Sequence, residues 1–314
     1  MANGNSIQQS LLNNCSMALF SAFLRLIRWP NLVFIGLTQV LFYYIVVQPS
    51  DFAPFLFGCL CVASILIAAA GYIINDYFDL NIDRVNKPEK LVIEKVIKRR
   101  SAILWHWFLS GLGVLLSVYV SWKLRNPIVG LANIGCVVLL WFYSTTFKRT
   151  LLIGNVVISL LTAWVIIVLF VCEIRLPYGY NLSRTFKYAI VYGGFAFIIS
   201  LIREVVKDIE DVDGDTRHGC RTMPIVWGIN VAKVFAATWL VVLISALAVI
   251  QFYFLPRAQW IMIAYGILFI DLPLLWILRK LYTAQSKTDY HLLSGVIKGV
   301  MLAGILSIVL LILP

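Results

Sequence analysis

Apolar runs of about twenty residues recur along the entire chain, which limits the fold more than any other feature. In a bilayer every backbone N–H and C=O must be satisfied within the segment or by a closed neighbour, so each such run is read as a spanning helix. Nine runs are legible, at 23–47, 52–75, 101–121, 127–147, 151–172, 186–203, 231–254, 259–281 and 291–313. The period-two alternation of an outer-membrane barrel is absent. With 61% hydrophobic and 13% charged residues, a soluble globular domain is excluded. The sequence thus predicts an all-α membrane protein. Residues 1–22 form a polar N-terminal segment and 23–314 a single polytopic domain.

The segment 1–16 is polar and uncharged and lacks the grammar of a signal peptide, so the first helix is expected to be retained. Nineteen of the 26 Lys and Arg residues fall on one side of the nine-helix arrangement. The positive-inside rule then predicts a cytoplasmic N-terminus, cytoplasmic loops at 75–100 and 204–230, and a C-terminus outside. The same bias, together with anionic headgroups, accounts for the net charge of +11, and no nucleic-acid motif is present. The six cysteines are scattered, with neither a CxxC pair nor a disulfide framework, and read as small apolar fillers.

Nine of the fifteen acidic residues lie in two short clusters: Asp76, Asp79 and Asp83, then Glu204, Asp208, Glu210, Asp211, Asp213 and Asp215. Asp76/Asp79/Asp83 and Asp208/Asp211/Asp215 share the spacing i, i+3, i+7, which on a helix puts each trio on one face. They hold equivalent places in two successive four-helix blocks. The chain reads as two such parallel blocks plus a ninth helix around a central cavity, with both clusters at one mouth. So many carboxylates repel one another and any anion unless cations lie between them and the substrate. Mg²⁺ prefers such oxygens and bridges them to phosphates, so two carboxylate sets suit a diphosphate gripped from both sides through two ions. Asn75 adds a neutral oxygen donor just before the first set.

The stretch Asn75-Asp76-Tyr77-Phe78-Asp79-Leu80-Asn81-Ile82-Asp83 resembles the NDxxDxxxD motif of the UbiA-type intramembrane prenyltransferases. Lys207 to Asp215 is similar to that family's second aspartate-rich motif, and Gly219-Cys220-Arg221-Thr222-Met223-Pro224, ending at Gly228, to its continuation. Arg28-Trp29-Pro30-Asn31, Asn86-Lys87-Pro88, Tyr143-Ser144 and Lys148-Arg149 match at further points. The resemblance implies a nine-helix fold and Mg²⁺-dependent transfer of a polyprenyl group from its diphosphate to a lipid-soluble acceptor within membrane lipids. It implies that Asn75, Asp79 and Asp83 bind one Mg²⁺ and Asp208, Asp211 and Asp215 another, with Asp76 ligating or orienting a neighbour. It offers Arg28, Lys87, Lys148 and Arg221 for the diphosphate oxygens and the Tyr143 ring for allylic positive charge. Glu204, on the face of Asp208, reads either as a base or as a partner for Arg203. One departure stands out: Lys87-Pro88-Glu89-Lys90-Leu91 lacks the family's Arg-Pro. The Arg203-Glu204 lead-in is most similar to the branch that alkylates geranylgeranylglyceryl phosphate; quinone, chlorophyll and haem-precursor branches share the chemistry.

A divalent-cation transporter is the alternative from another class, but it requires acids on both sides of the membrane. A CDP-alcohol phosphotransferase requires a DGxxAR-type run, which is missing. Asp271 and Lys298 fall in apolar runs and are read as helix-end residues that snorkel. His106 is read as a hydrogen-bonded interior residue, and Gly295-xxx-Gly299 as an internal packing contact.

Overall fold

The computed structural model describes residues 17–48, 52–174 and 182–312. The polar stretch 1–16 and the last two residues lie outside the described residues, as does the side chain of Lys90. Among the described residues the chain is almost wholly helical, with no strand beyond an isolated bridge between Ile93 and Ile97. A short helix α1 (Met17–Leu26) precedes α2 (Trp29–Val47), α3 (Pro54–Asn86), α4 (Arg99–Lys123), α5 (Pro127–Thr145), α6 (Ile153–Glu173) and α7 (Leu182–Glu210). Two short helices follow, α8 (Val212–Arg217) and α9 (Met223–Val226), then α10 (Ile229–Arg257), α11 (Trp260–Thr283) and α12 (Lys287–Ile312). Nine of the described helices are long and apolar enough to cross a membrane.

Two boundaries depart from the sequence reading, and both shape the site. The first apolar run is not one helix but two, broken at Arg28, whose φ of 51° is left-handed. Pro30 has no N–H to give to the carbonyl one turn earlier, so the chain turns a corner there and restarts with proline in the first turn. The second departure is length. The run expected to end at 75 continues as helix to Asn86, and the run expected to end at 203 continues to Glu210. Apolar side chains drive both extensions: Leu80 and Ile82 are buried on α3, and Val205, Val206 and Ile209 on α7. The acids occupy the remaining faces. The aspartates of the first motif are therefore held on rigid helix rather than on a loop.

Three apolar clusters hold the bundle. One joins α7, α10, α11 and α12 through Ile199, Val206, Leu240, Leu274 and Ile297. Another joins α2 to α6 through Phe42, Tyr43, Leu60, Val120 and Leu169. The third joins α1, α3 and α4 through Leu26, Ala70, Ile73 and Leu109. Helices α3 and α4 approach closely at Gly113, where a Cβ would fall 2.8 Å from Ile67 and 3.2 Å from the Ala63 carbonyl. Gly295 and Gly299, expected to serve internal packing, instead face open space. His106 is buried and its Nδ1 lies 3.0 Å from the Ala70 carbonyl, as expected for an interior residue. Asp271 is buried beside Gln251 within the bundle rather than snorkelling from a helix end.

Candidate active site

Between the clusters lies a cavity of about 870 Å³. Phe34, Ile67, Leu140, Val165 and Phe195 give it an apolar body, while one part of its wall is densely charged. Asn75, Asp76, Asp79 and Asp83 of α3 all line it, as do Asp208 and Asp211 at the end of α7 and Asp215 of α8. The trios thus face one chamber. Arg28, Lys87, Lys148, Tyr143 and Glu204 line it too. Arg221 does not: its side chain is exposed, and its backbone N–H donates to the Arg149 carbonyl at 2.8 Å. Arg149, Arg203, Lys207 and Lys298 join the wall instead.

Each cation is placed by a local feature. The left-handed backbone at Arg28 turns its guanidinium to Asp76 Oδ1 at 2.7 Å and over the Tyr72 ring at 5.2 Å. Asp76, the nearest opposite charge, holds Arg28 well above the ordinary arginine range although the side chain is only partly buried. Lys148 sits in the tight turn Phe147–Arg149 after α5 and pairs with Asp79, with Asn75 Oδ1 at 3.5 Å. Only glycine fits behind that turn, because a Cβ at Gly154 would fall 2.8 Å from Lys148 Cα and 2.9 Å from the Phe147 carbonyl oxygen. Lys87 follows α3 and reaches Asp211 Oδ2 at 2.6 Å. Burial alone would lower the Lys87 ammonium, but the charge and hydrogen bond of Asp211, with the charges of Glu210 and Asp83, together outweigh it and raise it.

Asn86 joins the two motifs mechanically. Its Nδ2 donates to the Asp211 carbonyl at 3.2 Å, and its Oδ1 accepts from the Gly214 N–H at 3.0 Å. The end of α3 is thereby pinned to the start of α8. Asn155 of α6 donates to Asp208 Oδ2 at 2.8 Å. Glu204 is gripped by two cations, Arg203 at 3.2 Å and Lys207 at 3.1 Å. An acid so committed is an anchor more than a free base.

The donors suit a hard divalent cation: carboxylates and one amide oxygen. Asp211 Oδ1 is buried and has no hydrogen-bond partner among the described residues. Burial pushes Asp215 up to about 7, and the neighbouring carboxylates of Asp211 and Asp79 add to it. A second-motif acid thus feels a first-motif acid, and both crowd a space that a cation would relieve. Among the described residues no three acidic, His or Cys side chains close around a metal unaided. That fits Mg²⁺, which commonly completes its shell with water and phosphate oxygens.

A bundle of membrane-length helices enclosing an oily chamber with carboxylates and cations at its wall defines an intramembrane enzyme for an anionic lipid substrate. Residues 36–302 match the UbiA prenyltransferase family, and the chain belongs to it. It is an integral, multi-pass membrane prenyltransferase. The chain is 30% identical over 271 residues to digeranylgeranylglyceryl phosphate synthase of Thermococcus gammatolerans, covering 86% of this chain and 90% of that one. It is 32% identical over 277 residues to the synthase of that name from Sulfolobus acidocaldarius, covering 85% and 90%. A UbiA homolog from Archaeoglobus fulgidus, solved bound to DMAPP and Mg²⁺, shares the fold with a TM-score of 0.58 at 16% identity, covering 91% of this chain and 99% of that one.

Proposed function

We propose that this prenyltransferase moves a geranylgeranyl-type group from its diphosphate to a glyceryl phosphate lipid precursor, with the charged wall facing the cytoplasm. The convergence of both aspartate trios on one chamber with an apolar body carries this reading. The relatives' shared name supports the acceptor class, and the A. fulgidus complex supports the donor and metal.

Two Mg²⁺ ions, held by Asn75, Asp79 and Asp83 on one side and Asp208, Asp211 and Asp215 on the other, would neutralise the diphosphate and make it a better leaving group. Lys148 and Lys87, already directed at this space by Asp79 and Asp211, supply direct contacts to the departing oxygens. Arg28 orients Asp76. The donor's tail lies along the apolar wall. When the donor's C1–O bond breaks, the diphosphate leaves with the electron pair and the Tyr143 ring steadies the allylic cation. The acceptor hydroxyl oxygen then bonds to C1 and releases its proton to solvent at the chamber mouth.

Purified protein supplied with labelled geranylgeranyl diphosphate and geranylgeranylglyceryl phosphate should yield the doubly prenylated glyceryl phosphate by mass spectrometry. EDTA, Asp79→Ala and Asp211→Ala should each abolish the product. Product formed equally well in EDTA, or with aromatic acceptors alone, would refute the proposal.

A further inference from the structure

The charges on the cavity wall are unevenly divided. Asp79, Asp83, Asp208, Asp211 and Asp215 line it with, among the described residues, only Lys87 and Lys148 as ion-pair partners. Around the corner between α1 and α2 the balance reverses. There, among the described residues, Arg28 pairs with Asp76 and both Arg203 and Lys207 with Glu204, while Lys298 adds a fourth cation to the same wall. Lys298 is the anomaly. It sits well inside α12, where an ammonium is costly, and it makes no ion pair among the described residues. Its Nζ donates to Asn31 Oδ1 at 2.7 Å and lies 5.2 Å from the Phe34 ring. Arg203 and Arg28 line the same cavity. Arg203 is also incompletely used: one nitrogen bonds Glu204, while its buried Nε has no hydrogen-bond partner among the described residues.

We propose that Arg203, Lys298 and Asn31 form a second anion subsite, separate from the aspartate trios, which holds the terminal phosphate of the acceptor lipid. The name of the lipid rests on the function proposed above; the subsite rests on the charges. A phosphate monoester carries a charge of about −1.5 to −2 near neutral pH and three acceptor oxygens, which suit a guanidinium and an ammonium on the wall of one cavity. Direct cations, unlike the aspartates, need no metal to bind it. Phe34, Phe195 and Met301 line the same cavity and offer apolar surface to the lipid chain.

The test uses the full chain in detergent and measures binding of geranylgeranylglyceryl phosphate in EDTA, with the dephosphorylated glycerol ether as control. The phosphorylated lipid is expected to bind without metal and the ether at least tenfold more weakly. Lys298→Met and Arg203→Met should each weaken binding of the phosphorylated lipid tenfold or more and leave the ether unchanged, with Lys298→Arg recovering most of the loss. In turnover with Mg²⁺, the same variants should raise KM for the acceptor while KM for the prenyl diphosphate stays within twofold. Absence of metal-free binding, equal loss for both lipids, or a rise confined to the diphosphate KM would overturn the inference. Equal displacement by excess phosphatidate would also overturn it, showing a site for any lipid phosphate. If the phosphorylated lipid binds as described but is never prenylated, the proposed function fails and the subsite stands.

Discussion

Asn86 offers a sharp test of how the two motifs are held together. Replacing it by alanine removes two hydrogen bonds and leaves the buried Gly214 N–H without its acceptor. One orphaned buried group costs about 1–3 kcal/mol, and a lost bond about 1 more, so α8 should loosen from α3 by about 2–4 kcal/mol. Each 1.4 kcal/mol is about tenfold in an equilibrium, so the docked arrangement of Asp211 and Asp215 falls by at least about tenfold. Because those are proposed metal ligands, the Mg²⁺ concentration for half-maximal rate should rise about tenfold or more, and saturating Mg²⁺ should recover most of kcat. Gly214 provides the check. A Cβ there would meet Asn86 Oδ1 at 2.3 Å, so Gly214→Ala alone should impair activity comparably. Asn86→Ala removes the atom that blocks it, and alanine is the better helix former by about 1 kcal/mol. The double variant should therefore be no worse than Asn86→Ala, a strongly non-additive cycle. Initial rates across a Mg²⁺ titration for all four proteins decide it. Additive losses, or a Mg²⁺ response equal to that of the parent protein, would refute the pinning role.

Gly154→Ala should press a methyl into the Lys148 backbone, lowering the unfolding temperature by an amount equivalent to about 1–3 kcal/mol and raising the KM for prenyl diphosphate; an unchanged thermal melt would contradict the close approach. Lys148→Met leaves Asp79 without its ion partner and should reduce kcat/KM for the donor about a hundredfold, measured by product formation at limiting diphosphate. Arg221→Ala separates the family resemblance from the geometry. Exposed and off the cavity wall, it should change donor KM by less than about twofold, whereas contact with the diphosphate predicts a loss above about tenfold. After chelation, Mg²⁺ should restore turnover better than Ca²⁺, whose larger and looser shell fits a small two-sided grip poorly.

Residue spacing made much of this site legible, and its limits are physical. The i, i+3, i+7 pattern requires only a helix, so it placed Asp76, Asp79 and Asp83 on one face even though the helix end was put eleven residues early. Hydropathy could not find that end, because it marks where lipid stops, not where backbone hydrogen bonding stops. The residues that continue α3 and α7, such as Ile82 and Ile209, bury against protein instead of lipid. Asn86 was visible as part of a motif, but its work depends on Gly214, 128 residues away, and no local pattern encodes that pairing. Lys298 shows the opposite failure. One lysine in an apolar run was assigned to the end of its helix, the cheapest local explanation. Its real partner, Asn31, and the Arg203 that lines the same cavity come from helices distant in sequence. A lone half-buried ammonium reads as an error until folding brings other underused charges to the same cavity. The requirement that such a group have a counter-charge then points outside the chain, toward a ligand.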